Sequence, residues 1–447
     1  MSNMSIYTSP YPLLFIYIEI SNHWVLIFPN YPFLNIRKMS YHQNYCSEYE
    51  SQYYEPFTQQ GSTSMHSQPS LRSIPSLTTQ TDQQENRVHP IQHHCITTLK
   101  FHNSYISSLA LCGKFLYTGF SDREIRVWQR DILTSEQSQL DPENIADTAV
   151  IAGEGAVKSL VVLADKIFSA HQDHKIRVWQ IDNHETNYQK LLQLATLPTL
   201  ADRATKLLLP KNHIQIRRHK KCTWVHHVDT VSSLALSSDN SLIYSVSWDR
   251  TLKIWRASDF KCLESVRDAH DDAINAVALS DDGHVYTGSA DKKIKVWKKQ
   301  HGEKKHFLVA TLEKHKSGVN TLALSSDGSV LYSGASDRSI VVWEKDEYGN
   351  MEVAGVLKGH TKSVLCLGVT NDILCSGSAD ATVRVWKDVD RIYSCLAVLE
   401  GHGSPVKCLT LASDHSSNHS GNTSSYHLYS CSLDCDIKVW QFFEPNL

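Results

Sequence analysis

The feature that most constrains this chain is a sevenfold recurrence of Asp followed six residues later by Trp, between residues 122 and 440. Just before each Trp, apolar and polar residues alternate, as in Ile294-Lys-Val-Trp297, which indicates a β-strand with one buried face. A Ser or Thr stands four residues before each Asp, and six of the seven units also carry a His four residues before an apolar residue. Self-similarity of this kind predicts an architecture of repeated structural units.

Burial explains why these four residue types recur together. A buried carboxylate or imidazole costs free energy unless it is paired, and a buried indole N–H needs an acceptor. The Asp can accept from the His, while the hydroxyl can link the His to the Trp. We therefore interpret the four residues as a structural tetrad rather than as metal ligands or catalytic bases. The complete sets in the third to seventh units are His227, Ser245, Asp249, Trp255; His270, Thr287, Asp291, Trp297; His315, Ser333, Asp337, Trp343; His360, Ser376, Asp380, Trp386; and His402, Ser430, Asp434, Trp440.

The arrangement resembles the WD-repeat family, over about residues 94–443. The resemblance implies an all-β fold, a seven-bladed WD-repeat β-propeller that occupies residues 91–444. Only seven residues follow Trp440, too few for a fourth strand and its turn, whereas residues 95–101 have the pattern of a strand. We expect 95–101 to join the last blade and close the ring, which protects the sheet edges. The second unit is irregular, because Gly153-Glu154-Gly155 replaces its His.

Residues 1–90 differ from the repeats and are predicted to be a largely disordered N-terminal extension. The stretch from Met39 is rich in Tyr, Gln and Ser and has too few aliphatic residues to build a core. Residues 1–36 are apolar, but Glu19 and Pro29 interrupt them and no basic residue precedes Arg37, so neither a signal peptide nor a membrane span is expected. A membrane role for this stretch, or translation from Met39, remains an open alternative.

Composition favours an intracellular interaction protein. The eleven cysteines include no CxxC, which indicates reduced thiols in the cytoplasm or nucleus. The net charge of −3 gives no general attraction to nucleic acid or membrane, and we expect neither as a partner. The sequence contains no P-loop, G-x-S-x-G or HExxH motif, so we expect no enzymatic activity, no cofactor and no metal. Proteins or peptides are the expected partners.

Three insertions are predicted, at about 130–150, 182–222 and 413–427. In the second, residues 199–209 have the pattern of a short helix that ends before Pro210. A basic segment follows, in which the cations are Lys211, Arg217, Arg218, Lys220 and Lys221. Two interpretations stay open for it: the outer strand of a blade with a solvated basic edge, or a site for RNA or phosphoinositide.

Within the WD-repeat family, three segments resemble a plant group named after JINGUBANG. They are residues 197–203, residues 211–231 and residues 247–255. This resemblance implies a regulator that controls pollen germination and tube growth through protein contacts. A substrate receptor of a cullin-type ubiquitin ligase is an alternative, although the residues that follow each repeat Trp do not fit the Asp/Asn and Arg/Lys pattern of such receptors.

Two positions in each unit are expected to face partners on the narrower, top surface of the propeller. One follows the apolar residue that starts the inner strand, and the other precedes the tetrad Asp. Trp248 is the sharpest candidate, because exposed Trp is favoured at binding hot spots, although its packing on an adjacent loop such as 182–222 is an alternative. The full candidate set is Trp248, Leu433, Leu365, Tyr105, Lys158, Lys407, Asn275 and Asn320.

Overall fold

The computed structural model describes residues 16–20, 23–27, 91–100, 104–134, 148–185, 188–207, 213–217, 220–300, 302–303, 305–389, 392–414 and 425–443. The chain divides into two compact units, Met1–Gln83 and Gln84–Leu447. In the first unit, Ile16–Ile20 pairs antiparallel with His23–Ile27, a hairpin that the sequence analysis did not predict. The rest of the predicted disordered extension lies outside the described residues.

The second unit contains seven four-stranded antiparallel sheets, which are the blades I to VII. The inner strands are Ile106–Cys112, Val157–Leu163, Val231–Leu236, Ile274–Leu279, Val319–Leu324, Val364–Thr370 and Val406–Asp414. The second strands are Phe115–Phe120, Lys166–His171, Leu242–Ser247, His284–Ser289, Val330–Ala335, Ile373–Ser378 and Ser425–Ser432. The third strands are Glu124–Gln129, Ile176–Glu185, Leu252–Arg256, Lys293–Lys299, Ile340–Lys345, Val383–Val389 and Asp436–Phe443. The outer strands are Thr148–Ile151, Tyr188–Leu197, Cys262–Val266, His306–Glu313, Met351–Leu357, Ile392–Leu399 and His93–Lys100.

The hydrophobic core lies between the blades, in seven layers. Each layer combines buried residues of two successive sheets, and one of the seven joins blade VII to blade I. The tetrad Trp of each blade belongs to such a layer; Trp128, for example, is fully buried among side chains of blade VII. The inner strands of neighbouring blades also contact each other around the whole set, including VII with I. Burial between sheets therefore holds the blades in a ring.

The outer strand of blade VII comes from the beginning of the propeller. His93–Lys100 pairs antiparallel with Asp436–Phe443, and Leu99 in this strand is fully buried. The strand starts and ends within two residues of the interval 95–101 marked in the sequence. Blade VII is thus composed of three strands from the end of the propeller and one from its start.

The insertions have structure of their own. Arg130–Leu133 is a single helical turn in the first, and Leu200–Leu207 is the helix expected in the second. Of the two interpretations of the basic segment, the one that makes it the outer strand of a blade is wrong. Tyr188–Leu197 fills that place in blade II, because the third strand runs on to Glu185 and a short connection returns the chain antiparallel to it. His213–Arg217 and Lys220–Thr223 instead pair as a separate two-stranded hairpin.

The last insertion separates the first two strands of blade VII, where residues 415–424 lie outside the described residues. In the described parts of the chain, no helix is long and apolar enough to cross a bilayer.

Candidate partner-binding face

Five blades, III to VII, contain the complete tetrad in one geometry. In blade III, His227 Nδ1 lies 3.2 Å from Asp249 Oδ2 and His227 Nε2 lies 2.8 Å from Ser245 Oγ. The indole N–H of Trp255 donates to the same hydroxyl at 2.8 Å. The corresponding distances in blades IV to VII are between 2.8 and 3.0 Å. Every buried polar group of these tetrads is paired, as the sequence analysis expects.

The tetrad also holds the turn that contains its Asp. The same Asp249 oxygen accepts the backbone N–H of Val228 at 2.8 Å, so the carboxylate joins the turn to the loop before the inner strand. Burial raises the pKa of Asp291, but the hydrogen bond and charge of His270 outweigh it and lower that pKa to about 2. At Asp434, burial is likewise outweighed, by the hydrogen bond of His402 and those of the backbone N–H groups of Asp436 and Gly403, and the pKa is lowered to about 2. These carboxylates are therefore ionised and fixed at neutral pH.

Blade I is described only in part, because His102 lies outside the described residues. Trp128 Nε1–H still donates to Thr118 Oγ1 at 2.9 Å.

Blade II builds its tetrad differently. His171 takes the place of the missing His: its Nε2 lies 2.7 Å from Ser169 Oγ, to which Trp179 donates at 2.8 Å. This His comes from the second strand, not from the loop before the inner strand. Burial, and next the charge of Arg177, lower the pKa of His171 to about 4. The sequence analysis identified the missing residue but not its substitute.

The Asp of blade II consequently has a new partner. Both terminal guanidinium nitrogens of the buried Arg177 donate to Asp173, and the second ring nitrogen of His171 lies 3.2 Å from the carbonyl oxygen of Gly155. Gly153 has φ +102°, and a Cβ built on it would lie 2.2 Å from the Arg177 guanidinium carbon. The absence of a side chain at Gly153 therefore leaves room for Arg177, which binds the Asp that the loop histidine binds in blades III to VII.

The first candidate position of every blade is a β-bulge. In each inner strand, the pairing with the second strand skips one residue after the first pair. The skipped residues are Ser107, Lys158, Ser232, Asn275, Asn320, Leu365 and Lys407. A bulge redirects the side chain that it carries. The side chain at this position therefore does not follow the alternation of the other side chains of the inner strand.

The second candidate position lies next to the first. In every blade, the backbone N–H of the residue before the tetrad Asp donates to the carbonyl of the residue before the inner strand. The donors are Ser121, Gln172, Trp248, Ala290, Ser336, Ala379 and Leu433. Both positions therefore lie at the end of the propeller where the inner strands begin, which we call the top face.

Four of the seven bulge side chains connect neighbouring blades. The hydroxyls of Ser107 and Ser232 donate to the carbonyls of Val157 and Ile274, each on the next blade. The amides of Asn275 and Asn320 donate in the same way to Val319 and Val364, both at 2.9 Å. Both Asn residues predicted to bind a partner thus have a structural task.

The other three bulges carry Lys158, Leu365 and Lys407, in blades II, VI and VII. In blades VI and VII the connection to the next blade comes from the following residue, whose thiol donates at 3.7 Å: Cys366 to Val406 and Cys408 to Ile106. Lys407 is exposed and Leu365 is half-buried. The Lys158 ammonium lies 5.8 Å from the centre of the Trp248 ring, so two predicted residues from adjacent blades stack on each other.

Comparison with known proteins now identifies the architecture. The family model of the WD domain, G-beta repeat, matches residues 93–129, 219–256, 260–298, 307–344, 351–387 and 393–441. The chain is a WD-repeat protein. The matched segments do not include the sheet of blade II, where His171 and Arg177 replace the ordinary arrangement.

The relatives of this WD-repeat protein have diverse names. Apoptotic protease-activating factor 1 of Danio rerio is 28% identical over 223 residues, which are 49% of this chain and 16% of the relative. Autophagy-related protein 16 of Arabidopsis thaliana is 23% identical over 329 residues, 72% of this chain and 53% of the relative. Probable cytosolic iron-sulfur protein assembly protein 1 of Vanderwaltozyma polyspora is 30% identical over 272 residues, 48% of this chain and 70% of the relative. The chain thus spans about half or less of the first two.

The remaining candidates are placed as follows. Tyr105 and Leu433 are half-buried on the top face, where Tyr105 O accepts the N–H of Ser121. Arg217, Lys220 and Lys221 lie in the separate hairpin, with side chains outside the described set, and Lys211 and Arg218 lie outside the described residues altogether. Among the described side chains, no group of three or more His, Cys, Asp or Glu is arranged to hold a metal ion.

Proposed function

We propose that this WD-repeat protein is a non-enzymatic interaction scaffold that binds a protein partner on one arc of its top face. The observation that supports this most directly is that the bulges carry two kinds of side chain, one of which hydrogen-bonds to the next blade. Those of blades III to V carry Ser232, Asn275 and Asn320, which donate to the next blade. The bulges of blades VI, VII and II carry Leu365, Lys407 and Lys158 instead. We call the resulting set the top-face arc: Leu365, Lys407, Leu433, Tyr105, Lys158 and Trp248.

The chemistry of the arc suits a protein surface. It combines two half-buried aromatic residues and two half-buried leucines with two cations on five successive blades, VI, VII, I, II and III. Trp and Tyr contribute large contact areas at little cost in side-chain entropy and dominate binding hot spots. The stack of Lys158 on Trp248 orders both side chains before a partner arrives. Asn275 and Asn320 are left out of the arc, because their amides connect blades.

The test is affinity purification with mass spectrometry on the full chain. Trp248→Ala combined with Leu433→Ala should remove the principal partner, because two of the four large apolar side chains of the arc are truncated while the tetrads stay intact. The matched control is Tyr348→Ala with Phe307→Ala, two exposed residues outside the top face. If the arc variant retained every partner that the wild-type protein retains, this function would be excluded.

At a finer level, we propose that the scaffold acts in plant growth signalling, including pollen germination, as the likeness to the JINGUBANG-like group implies. Three segments support this, at residues 197–203, 211–231 and 247–255. The last contains Trp248, so one segment of the likeness coincides with the arc. Disruption of the gene should alter pollen germination or tube growth, and unchanged germination and growth would remove this finer proposal.

A further inference from the structure

A second feature of the top face is its charge on blades V and VI. Five cations lie on the turns and loops at this end, and all of them are exposed. We call them the Lys316 patch: Lys314, Lys316, Arg338, Lys358 and Lys362.

Hydrogen bonds of the turns bring the patch together. The backbone N–H of Lys316 donates to Asp337 at 2.8 Å, and Arg338 follows that Asp in the turn. The hydroxyl of Ser363 donates across the blade boundary to the carbonyl of Ser336, in the same turn. Lys362 precedes Ser363 and is anchored by the hydroxyl of Ser378, which donates to its carbonyl at 3.2 Å. The backbones of Lys316, Arg338 and Lys362 are therefore fixed side by side across two blades.

The carboxylates of these turns and loops are already paired. Asp337 and Asp380 bind their tetrad histidines, at 3.0 and 2.9 Å. Glu313, the last residue of the outer strand of blade IV, is bound to Lys293 of the same blade at 3.1 Å. The five cations outnumber the two tetrad carboxylates of these turns, so the patch presents a net positive charge to an incoming ligand.

The neighbouring blade limits the size of that ligand. The blade IV loop carries Asp268, Asp271 and Asp272, all exposed, and only Asp268 has a described ion pair, with Arg250. A polyanion that extended from the patch onto blade IV would meet these carboxylates and be repelled. A short anionic segment can stay on blades V and VI. On the other side, the half-buried Leu365 and the exposed Lys407 provide an apolar contact and a further cation.

We propose that the Lys316 patch binds a short acidic peptide segment of a protein partner, with an apolar side chain of that segment placed on Leu365. The proposal rests on the proposed function in assigning protein binding to the top face, and it adds the chemistry of the partner. Carboxylates of the segment pair with Lys316, Arg338 and Lys362. The acidic loop of blade IV repels the segment, which therefore ends before it reaches that blade.

The probe is a library of short random peptides displayed on phage and selected on the full chain, followed by fluorescence polarisation with the enriched peptides. These peptides should be enriched in Asp and Glu over the library. Their affinity should fall about tenfold or more in the triple variant Lys316→Gln, Arg338→Gln, Lys362→Gln, because exposed ion pairs contribute modestly but add up. Raising the salt concentration should weaken binding to the wild-type protein. Single variants Lys316→Gln and Lys362→Gln should give intermediate losses, which keeps the test valid if the triple variant folds poorly.

The matched control replaces three exposed lysines away from the top face, Lys261, Lys299 and Lys305, by Gln, and should bind the acidic peptides as the wild type does. Enriched peptides without excess acid, or acidic peptides that bind the triple variant equally well, would overturn the proposal. It is also overturned if a poly(U) RNA probe binds through the patch and the peptides do not. Trp248→Ala with Leu433→Ala should retain the acidic peptides, so failure of the patch and failure of the proposed function give different results.

Discussion

At the scale of single residues, blade II shows that the tetrad is a set of tasks that different side chains can perform. His171 pairs with Ser169 in place of the loop histidine, and Arg177 binds the Asp that this histidine would otherwise hold. In blades III, IV, VI and VII, the position of His171 is a Ser, such as Ser247, whose hydroxyl accepts the N–H of the tetrad Asp. Two substitutions in strands thus compensate for one missing residue in a loop.

Gly153→Ala should destabilise the protein by about 1–3 kcal/mol, because the new Cβ would meet the buried guanidinium of Arg177 at a left-handed φ. The measurement is the free energy of unfolding in urea. Gly113→Ala is the matched control, since φ is +55° there and nothing lies within 4 Å of a built Cβ. Equal losses in the two variants would show that backbone strain alone is responsible and that Arg177 does not fill the site.

His171 should make stability depend on pH above the range in which carboxylates titrate. Its pKa is about 4 in the folded protein and 6.5 without the fold, so the unfolded chain binds more protons between these values. The free energy of unfolding should therefore fall as the pH drops from 6.5 towards 4, by an amount on the order of 3 kcal/mol. Urea unfolding at several pH values should show a flatter profile for His171→Gln. An identical slope in the variant would contradict this assignment.

The limit of sequence reasoning at this scale is clear from the same residues. The tetrad residues of blades III to VII can be identified from the sequence because their spacing repeats. His171 cannot, since its position is a Ser in most other blades and no spacing rule marks it. The bulge positions were located by analogy between repeats, but the two duties of their side chains depend on distances to the next blade, which a linear sequence does not contain.

At the scale of structural elements, the residue at each bulge has one of two roles: it connects its blade to the next one, or it presents its side chain on the top face. An Asn at this position reaches the next inner strand, whereas a Leu cannot donate, and in blade VI the following Cys366 does so. The same β-bulge, present in all seven inner strands, therefore gives different surfaces depending on the side chain that it carries. This is why residues at equivalent positions of a repeat need not share a function.

Asn320→Ala should lower the free energy of unfolding by about 1–3 kcal/mol. The substitution removes the hydrogen bonds that the Asn320 side-chain amide donates to Val364 and Ser336 inside an interface between blades. Leu365→Ala should change stability less but weaken binding of partners to the top face. Urea unfolding and partner pull-down on the same two variants separate the effects. The reverse outcome, with Leu365→Ala unstable and Asn320→Ala defective in binding, would refute the division of roles.

The elements themselves were predictable where the periodicity was strong. Strands next to each tetrad and the helix Leu200–Leu207 were recognised from alternation and from Pro210. The outer strand of blade II was misplaced, because two segments of the long insertion have a strand-like pattern. Only the pairing with the extended third strand shows that Tyr188–Leu197 is the one in the blade.

At the scale of the whole molecule, the core is divided into seven layers between blades, so that each blade depends on both neighbours. No single layer is central, and the interface of VII with I is built from buried apolar side chains like the other six. That interface includes Leu99 from the outer strand His93–Lys100 together with Cys408, Tyr429 and Ile437.

Deleting residues 1–90 should leave the urea unfolding midpoint unchanged, whereas deleting residues 1–100 should cause aggregation or a large loss of stability. The second deletion removes a paired strand and uncovers the apolar side chains beneath Leu99. Size-exclusion chromatography and urea unfolding of the two truncated chains check this. A deletion of 1–100 that remained monomeric and equally stable would show that the ring does not need this strand.

The origin of that strand has a consequence for synthesis in the cell. His93–Lys100 leaves the ribosome before any other strand of the propeller, yet its partner Asp436–Phe443 is the last to be made. At ordinary translation rates, the interval is on the order of tens of seconds. During that time the unpaired strand edge and the side chain of Leu99 have no native site to occupy. A nascent chain of this protein is therefore expected to need a chaperone at its first propeller strand until translation ends.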